Sequence, residues 1–572
     1  MHKALRCLLI LTVLLLAYLA VLVLYQVPYA WLVATGIGVV LLCRKTYRYT
    51  AYGTARWADA TDIPHLLEGN GLILGHIQGK PDKWRGTLAL FDRNLPARAA
   101  CQRFLMAFQR KPPKFLVRLT RAVHTAIFAP TGVGKGVSCV IPFLKTCPES
   151  CMVVDFKGEN YLKTAADRRR MGHKVVVLDP YRIVTQEPDT FNPLQFIDRE
   201  SPTAIDECRD LAEALVIRTG QEKDPHWNDS AEVWISAMTA GVVAFADDAD
   251  KSLQSVRRVL TDPQRMEAVI KLLCESDVWD GMLARLGGQL TNFKDKELSS
   301  TLTTTNRFMR FLDTIAIAES TRQSSFNPAD LLTGKMTVYL VLPPEHMRAQ
   351  SPLLRLWIGS LLRAVVKGGL QEKTKVHFVL DEAASLGHME ALDDAVDKFR
   401  GYGVRLQLYY QSIGQLQKCW PDGGATTLLS NTTQVFFGVN DPQTAGYVSS
   451  RLGEETIIVE SGGTSSSTTR QASQQGSGSY SYSTSTSDNW QQIARKLLKP
   501  EEVEALDPRV AITFTPSAPP IWTWLVRYYE KDFGRPQGLG PVKAAFDAAC
   551  LFLAAGLLAV LWTAALFYHT FQ

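Results

Sequence analysis

The fold is decided by residues 123–136, which read Val-His-Thr-Ala-Ile-Phe-Ala-Pro-Thr-Gly-Val-Gly-Lys-Gly. The apolar first half predicts a buried β-strand, and the apolar pattern that continues through Val140 and Leu144 predicts a helix. A strand, a glycine-rich turn with a lysine, and a helix make up the arrangement that cradles phosphate groups. The stretch therefore indicates a nucleotide-binding α/β domain. A bare glycine-rich turn without a ligand is the alternative.

The turn departs from the GxxxxGK(S/T) pattern at two positions. Ala129 replaces the first glycine, and Gly136 replaces the hydroxyl residue that would help to hold Mg²⁺. Lys135 keeps the place of the lysine that reaches the β- and γ-phosphate oxygens. The predicted nucleotide contacts are Thr131, Gly132, Val133, Gly134, Lys135, Gly136 and Val137.

A second stretch supplies the carboxylates that such a site needs. Residues 375–380 form a hydrophobic strand pattern that ends at Asp381 and Glu382. In P-loop NTPases an aspartate at this place positions Mg²⁺, and a following glutamate activates the attacking water. The sequence therefore predicts ATP and Mg²⁺ as cofactors. A solvated acidic turn after an ordinary strand is the alternative.

The remaining soluble sequence divides into strand-rich and helix-rich parts. Apolar runs at 152–156, 174–178, 336–342, 405–409 and 434–437 predict further strands of a mostly parallel sheet. Helical patterns replace them at 206–217, 230–246, 263–273 and 298–312. We expect a nucleotide-binding domain in two parts, 49–199 and 328–530, with an all-α domain inserted at 200–327. A Ser/Thr/Gly/Gln tract at 461–487 predicts a mobile surface loop.

Both ends of the chain carry long apolar segments. Cys7–Tyr25 and Val27–Cys43 predict an N-terminal transmembrane helical hairpin within residues 1–48, and flanking cations place both of its ends in the cytoplasm. A cleaved signal peptide is the alternative for the first segment. Residues 548–568 predict a C-terminal transmembrane helix, with a helix docked on the soluble domain or lying in the membrane interface as the alternative.

Composition bounds the class of protein. With 572 residues, 46% hydrophobic and 21% charged, the chain is neither disordered throughout nor a polytopic transporter. The net charge of +6 conceals a basic segment at 93–121 with eight cations and no acid. An anionic membrane surface, a DNA backbone and a plain solvated face all fit that segment. Because no CxxC or HExxH spacing occurs, no transition metal is predicted.

Eight motifs together resemble the type IV secretion coupling proteins, the TraG-type conjugative DNA-transfer ATPases. In chain order they are Gly53-Thr-Ala-Arg-Trp57-Ala, Ala129–Gly136, Val154-Asp155-Phe-Lys157-Gly-Glu159, Trp227-Asn-Asp-Ser-Ala231, Leu380-Asp381-Glu382-Ala, Arg400-Gly-Tyr-Gly403, Gln411-Ser-Ile-Gly-Gln415 and Asn440-Asp441-Pro442. Members of this family commonly carry GKG, as here at Gly134–Gly136. The C-terminal apolar segment departs from the family layout.

The resemblance implies a RecA-like motor that assembles as a homo-hexamer at the bacterial inner membrane, with most of its mass in the cytoplasm. Its partners would be inner-membrane components of the type IV secretion system, membrane lipids, and a relaxase–single-stranded DNA complex or protein effectors. A nucleotide-regulated receptor or scaffold that exports protein cargo without pumping DNA is the alternative.

The resemblance also assigns roles to single residues. It implies phosphate binding by Lys135, Mg²⁺ coordination by Asp381 and water activation by Glu382. Arg400 resembles an arginine finger for a neighbouring subunit, and Gln411 resembles a γ-phosphate sensor. Residues 155–159 are expected at the edge of the nucleotide site, because ligand crevices form where parallel strands end.

Overall fold

The computed structural model describes residues 2–26, 50–78, 83–92, 114–120, 122–218, 224–371, 373–421, 423–471, 479–516 and 518–530, and also residues 95, 97, 100–101, 104–105 and 222. Its strands are β1 (Leu72–Gln78), β2 (Lys114–Leu119), β3 (His124–Phe128), β4 (Ser150–Asp155), β5 (Lys174–Leu178), β6 (Met336–Val341), β7 (Val376–Leu380), β8 (Val404–Tyr410), β9 (Thr432–Phe437), β10 (Glu454–Gln471), β11 (Ser479–Lys496), β12 (Val510–Phe514) and β13 (Ile521–Trp524).

Helices connect and cover these strands. They are α1 (His2–Gln26), α2 (Lys83–Phe91), α3 (Ile141–Thr146), α4 (Glu159–Arg170), α5 (Ala204–Leu215), α6 (His226–Phe245), α7 (Leu253–Thr261), α8 (Pro263–Cys274), α9 (Met282–Thr291), α10 (Asp295–Met309), α11 (Ile315–Arg322), α12 (Met347–Lys367), α13 (Glu390–Asp397), α14 (Ile413–Cys419), α15 (Gly424–Asn431), α16 (Pro442–Leu452) and α17 (Pro500–Glu504).

Eleven strands form one mixed sheet in the order β2-β1-β13-β12-β9-β3-β8-β7-β4-β6-β5. The run from β9 to β5 is parallel, while β12, β13, β1 and β2 continue it in antiparallel pairs. The α/β fold and the mostly parallel order expected from the apolar runs are confirmed. The antiparallel extension was not predicted, and one of its pairings, between β1 and β13, joins residues as far apart in the chain as His76 and Trp524.

The sheet has an apolar core on each face, as expected for strands whose side chains alternate in direction. Phe128, Val154 and Leu380 pack into one core, which also takes up the buried side chains of α5, α6 and α12. Their sequence neighbours Ile127 and Val153 pack into the other core, against Phe143 of α3. Burial on both faces explains why these strands are apolar throughout.

From Ala204 to Arg322 the described residues form helices and no strand. This agrees with the predicted helical patterns, and the domain boundaries at 200 and 327 stay predictions. Trp234 of α6 and Trp357 of α12 are both fully buried in the core on one face of the sheet. The helical part is thus packed directly onto the sheet.

The Ser/Thr-rich tract forms an antiparallel ribbon of β10 and β11, so the expectation of a mobile loop is wrong for its described residues. The register pairs Thr464 with Thr486 and Thr468 with Tyr482. Threonine and tyrosine have a high propensity for strands, which explains how this tract forms a ribbon without aliphatic residues.

The first apolar segment is helical, since α1 covers it. Leu9 packs against Leu90 and Cys101, and the Arg6 guanidinium donates to the carbonyl oxygens of Leu90, Asp92 and Leu95. Among the described residues, no helix is long and apolar enough to cross a bilayer. The predicted segments 27–43 and 548–568 lie outside the described residues.

The basic segment is described only in part. Lys114 and Arg118 lie on β2, at the edge of the sheet, where Lys114 is exposed and Arg118 is half-buried. The other six cations, Arg93, Arg98, Arg103, Arg110, Lys111 and Arg121, lie outside the described residues. A strand through Lys114–Leu119 accounts for the apolar residues that are interleaved with these two cations.

Candidate functional site

Four predicted site elements meet at one edge of the parallel sheet. The lysine turn follows β3, Gln411 follows β8, Asp381 follows β7 and Asp155 ends β4. These four strands are consecutive neighbours in the sheet. Because they are parallel, their carboxyl ends open onto the same crevice, which is where α/β proteins bind their ligands.

The lysine turn is built on backbone that glycine favours. Gly132 and Gly134 have φ angles of 87° and 102°, in the left-handed region. The Lys135 ammonium donates a hydrogen bond to the carbonyl oxygen of Ala129 at 2.8 Å, which closes the turn on itself. The helix that follows starts with a wide π-type turn at Gly136–Val140 and continues as α3. The Ser138 amide donates to the Gly134 carbonyl oxygen at 2.9 Å, and the start of a helix is where backbone amides face a bound anion.

The charges at the site are only partly compensated. Burial lowers the pKa of Lys135. The negative charges of Asp381 and Glu382 have the opposite, smaller effect and raise it. Burial also raises the pKa of Asp381 to about 6, and Lys135 opposes that rise while Glu382 and Asp155 add to it. Three carboxylates therefore share a half-buried site with this lysine, and an additional cation would stabilise their charged forms.

Asp155 is the most deeply buried of these carboxylates. Burial raises its pKa to about 6, although several backbone N–H groups of the next turn stabilise its charged form. One of its oxygens accepts from the amide of Tyr161 at 2.8 Å, so the side chain caps the start of α4. The structure thus places Asp155 beside Asp381, since Val154 pairs with Leu380 in the sheet.

Glu382 adopts an uncommon backbone conformation. Its φ of 59° is left-handed, which a residue with a side chain adopts only at a cost of about 1–3 kcal/mol. The amide and hydroxyl of Ser385 both donate to the Glu382 carbonyl oxygen, and these two hydrogen bonds hold the turn in place. The turn directs the chain away from β7 immediately after Asp381.

Gln411 lies next to the lysine turn. The Ala129 amide donates to the carbonyl oxygen of Tyr410 at 3.0 Å, which ties the turn to the end of β8. The Gln411 amide donates to the Gln415 side-chain oxygen at 2.7 Å. The Gln415 side chain therefore holds the backbone of Gln411, which lies between the turn after β3 and Asp381 after β7.

Arg400 lies at the opposite edge of the sheet. It belongs to a short 3₁₀ turn, Phe399–Tyr402, that precedes β8, and it is exposed. Burial lowers the pKa of His124, at the start of β3, to about 3, and the charges of Arg405 and Arg400 add to this effect. The seven residues of β8 separate Arg400 from Gln411, a length of about 20 Å. Arg400 therefore does not join Lys135 within its own chain.

Two site contacts were not predicted from the sequence. Gly438, after β9, lies so close to Val133 that an added Cβ would be 2.7 Å from a Val133 methyl carbon. The amide of Tyr528, beyond the last strand, donates to the carbonyl oxygen of Val137 at 3.1 Å. Neither residue belongs to a motif that reads as phosphate-binding, and only the sheet order brings them to the turn.

The residues present fit a bound Mg²⁺. Asp381 and Asp155 offer the hard oxygen ligands that Mg²⁺ prefers, in a place where burial disfavours their charge without a cation. A Cβ built at Gly136 would meet no atom within 4 Å. Steric crowding therefore does not explain the missing hydroxyl, and the open space would admit water as a metal ligand.

Comparisons with known proteins bear on the whole chain. Residues 56–547 match the family described as Type IV secretory system Conjugative DNA transfer. The chain is 28% identical to the Conjugal transfer protein TraG of Agrobacterium fabrum, over 84% of this chain and 71% of the relative. It is 27% identical to TraG of Rhizobium radiobacter, over 72% and 62%. It is 29% identical to the Type IV secretion system-coupling protein VirD4 of Bartonella quintana, over 59% and 54%.

The chain thus spans 54% to 71% of the length of these three relatives. Among solved structures, the plasmid coupling protein TrwB in complex with a non-hydrolysable ATP analogue has the same fold, with a TM-score of 0.54 and 17% identity over 73% of this chain and 87% of TrwB. TrwB in complex with ADP and Mg²⁺ gives a TM-score of 0.53 and 16% identity over 74% and 90%. Since the family match covers most of the sequence, the chain belongs to the type IV secretory system conjugative DNA transfer family.

Proposed function

We propose that this protein is an ATPase coupling protein that recruits relaxase-bound single-stranded DNA, or protein effectors, to a type IV secretion channel and drives their transfer. One observation carries the proposal: Lys135, Asp381 and Gln411 follow three adjacent parallel strands at one edge of the sheet, in a chain of this family. The relatives named TraG and VirD4 supply the expectation about conjugation and secretion.

The proposed chemistry divides among residues of the crevice. Lys135 and the amides of residues 131–137 would bind the phosphates, and Asp381 would coordinate Mg²⁺. Mg²⁺ bound there would neutralise charge on the β- and γ-phosphate oxygens. Glu382 would orient the attacking water, and Gln411 would contact the γ-phosphate. Each role requires a side chain within reach of one nucleotide, and the sheet order supports that.

Arg400 would complete the site of a neighbouring subunit in a hexamer. Arg400 lies at the opposite edge of the sheet from Lys135, so it does not add its positive charge to the nucleotide site of its own chain. A cation supplied in trans stabilises charge on the transferring phosphoryl group and makes hydrolysis depend on assembly.

ATP hydrolysis by the full chain tests the motor. Lys135→Ala is expected to reduce turnover at least about a hundredfold while the protein stays folded, because the phosphate charge loses its fixed cation. Lys271→Ala, an exposed lysine of α8, is the matched control and should hydrolyse ATP like the wild type. Full DNA transfer by Lys135→Ala would contradict the motor.

A receptor or scaffold that uses nucleotide only for assembly is the second candidate. The observation that favours it is Gly136, which offers no hydroxyl to Mg²⁺. Hydrolysis rates with and without single-stranded DNA, measured over a range of protein concentrations, separate the two candidates. The motor predicts stimulation, and the scaffold predicts none at any concentration.

We also propose that the N-terminal end anchors the protein in the bacterial inner membrane, with the bulk of the protein in the cytoplasm. Helix α1 exposes a row of large apolar side chains, with Leu11 at 64% and Tyr18 at 61%. Burial of such surface in lipid is favourable. Topology reporters fused after Arg48 and after Gln572 test the anchor and the C-terminal segment separately. A periplasmic signal from the first fusion would contradict the hairpin.

A further inference from the structure

The edge of the sheet opposite the nucleotide crevice holds a cluster of metal-ligating side chains. Cys147, Glu149 and Cys151 alternate in sequence where the chain leaves α3 and enters β4. Residues two apart on extended chain point to the same face, and Cys151 is in register with His377 on the neighbouring strand β7. Residues far apart in sequence therefore converge at one place in the fold.

Three of these side chains have the spacing of a metal site. The ligand atoms of Cys147, Glu149 and His377 all lie within 4.8 Å of one another. His377 Nε2 and a Glu149 carboxylate oxygen are 2.6 Å apart. Tetrahedral Zn²⁺ with sulfur, nitrogen and oxygen ligands would hold these atoms about 3.4–3.6 Å apart. Metal binding therefore needs the ligand atoms to move by about 1 Å from their present positions.

The three side chains of the cluster differ in exposure, and Glu149 is the one most open to solvent. Cys147 is 1% exposed, whereas the side chains of His377 and Glu149 are 13% and 27% exposed. The ring of Phe143 packs edge-on against His377 with a centroid distance of 5.0 Å and fixes its plane. A cation could enter past Glu149 and reach a sulfur ligand that is shielded from water.

The backbone around the cluster is held by a buried cation. Arg168 is fully buried and donates to the carbonyl oxygens of Cys147 and Glu149 and, at 3.4 Å, to the Cys151 sulfur. Its other described partners are the Leu144 carbonyl, Thr337 and His173, so none of its described hydrogen bonds goes to a carboxylate. A buried cation among neutral acceptors favours negative charge nearby, which thiolate ligands would provide.

We propose that Cys147, Glu149 and His377 bind a thiophilic divalent cation of the Zn²⁺ class, with the Cys151 sulfur beside Cys147. Thiolate, imidazole and carboxylate are the ligands that zinc takes in proteins, and three protein ligands leave a fourth position for water or a second sulfur. The cation would join the start of β4 to β7, at the end of the sheet far from Lys135. The sequence motifs did not predict it, because His377 comes from a different strand.

Cobalt binding to the reduced full-length protein tests the site, because tetrahedral Co²⁺ with a thiolate ligand gives a sulfur-to-cobalt charge-transfer band. We expect this band in the chelator-treated wild type at one ion per chain, and its loss on addition of Zn²⁺. Cys147→Ser should abolish the band, and His377→Gln should weaken cobalt binding at least about tenfold. Cys208→Ser, at another fully buried cysteine, is the matched control and should keep the band.

Two further variants keep the test decisive. Glu149→Gln changes the most exposed ligand, so it should fold even if Cys147→Ser does not, and it should also weaken Zn²⁺ binding. Lys135→Ala should leave the cobalt band intact, which separates this site from the nucleotide crevice. Absence of the band in the wild type, or undiminished cobalt binding by both His377→Gln and Glu149→Gln, would overturn the proposal.

Discussion

Asp381 is a buried carboxyl group surrounded by other charged side chains. Its carboxyl lies near Glu382 and Asp155, which raise its pKa, while Lys135 and Lys157 lower it. Burial raises its pKa to about 6, so the folded protein holds the proton more tightly than the unfolded chain does. Stability is then lost as pH rises from about 4 through about 6, because the folded state must ionise a buried acid.

The loss of stability on ionisation of Asp381 gives a prediction for Asp381→Asn. Without nucleotide and Mg²⁺, the variant should be more stable than the wild type at pH 7 by about 3 kcal/mol, and the difference should vanish below about pH 4. The same variant should lose ATP hydrolysis. Urea unfolding at several pH values measures the difference, with the exposed Asp277→Asn as control. A variant no more stable than the wild type at pH 7 would contradict the argument.

At the scale of elements, the sheet order decides which segments touch the lysine turn. Strand β9 lies beside β3, so Gly438 at its end packs against Val133. Gly438 has a φ of 60°, and an added methyl group would lie 2.7 and 3.0 Å from two Val133 carbons. Since β9 is held by β3 on one side and β12 on the other, the more mobile partner in that contact is the turn.

We therefore expect Gly438→Ala to displace the turn and to weaken nucleotide binding on the order of tenfold. Gly423→Ala is a matched control, since its φ of 89° is also left-handed but an added Cβ meets no atom within 4 Å. Both variants share a backbone cost of about 1–2 kcal/mol. Titration with a fluorescent ATP analogue measures the affinity. Equal affinities for the two variants would show that the contact between position 438 and Val133 does not affect nucleotide binding.

The same elements explain what the sequence could predict. Strands such as β5 are apolar on both faces and are followed by a turn, so local pattern alone located them. Strands β1 and β13 could not be paired in advance, because His76 meets Trp524 only through the sheet order. The Ser/Thr/Gly/Gln composition of residues 461–487 predicts a loop, because composition alone does not register the alternating Ser-Tyr and Ser-Thr residues at 479–486. Lys135 and Asp381 are predicted as site residues because each belongs to a contiguous sequence motif, and their roles stay predictions.

At the scale of the whole molecule, the two edges of the sheet carry different groups of side chains. The carboxyl edge carries Lys135 and Asp381, and the opposite edge carries Arg400 and the cysteine cluster around Cys147. A single chain therefore carries the lysine turn at one edge of the sheet and an exposed arginine at the other. In a ring of identical subunits, the arginine edge of one copy can face the crevice of the next.

This arrangement predicts complementation between two inactive variants. Lys135→Ala and Arg400→Ala should each lack hydrolysis alone, because one loses the phosphate lysine and the other the cation given to its neighbour. In an equal mixture about a quarter of subunit interfaces would pair an intact Lys135 with an intact Arg400, so about a quarter of wild-type turnover should return if sites act independently. Hydrolysis measured after the subunits are exchanged tests this. An arginine that served its own chain would restore nothing, since every chain in the mixture would still carry one defect.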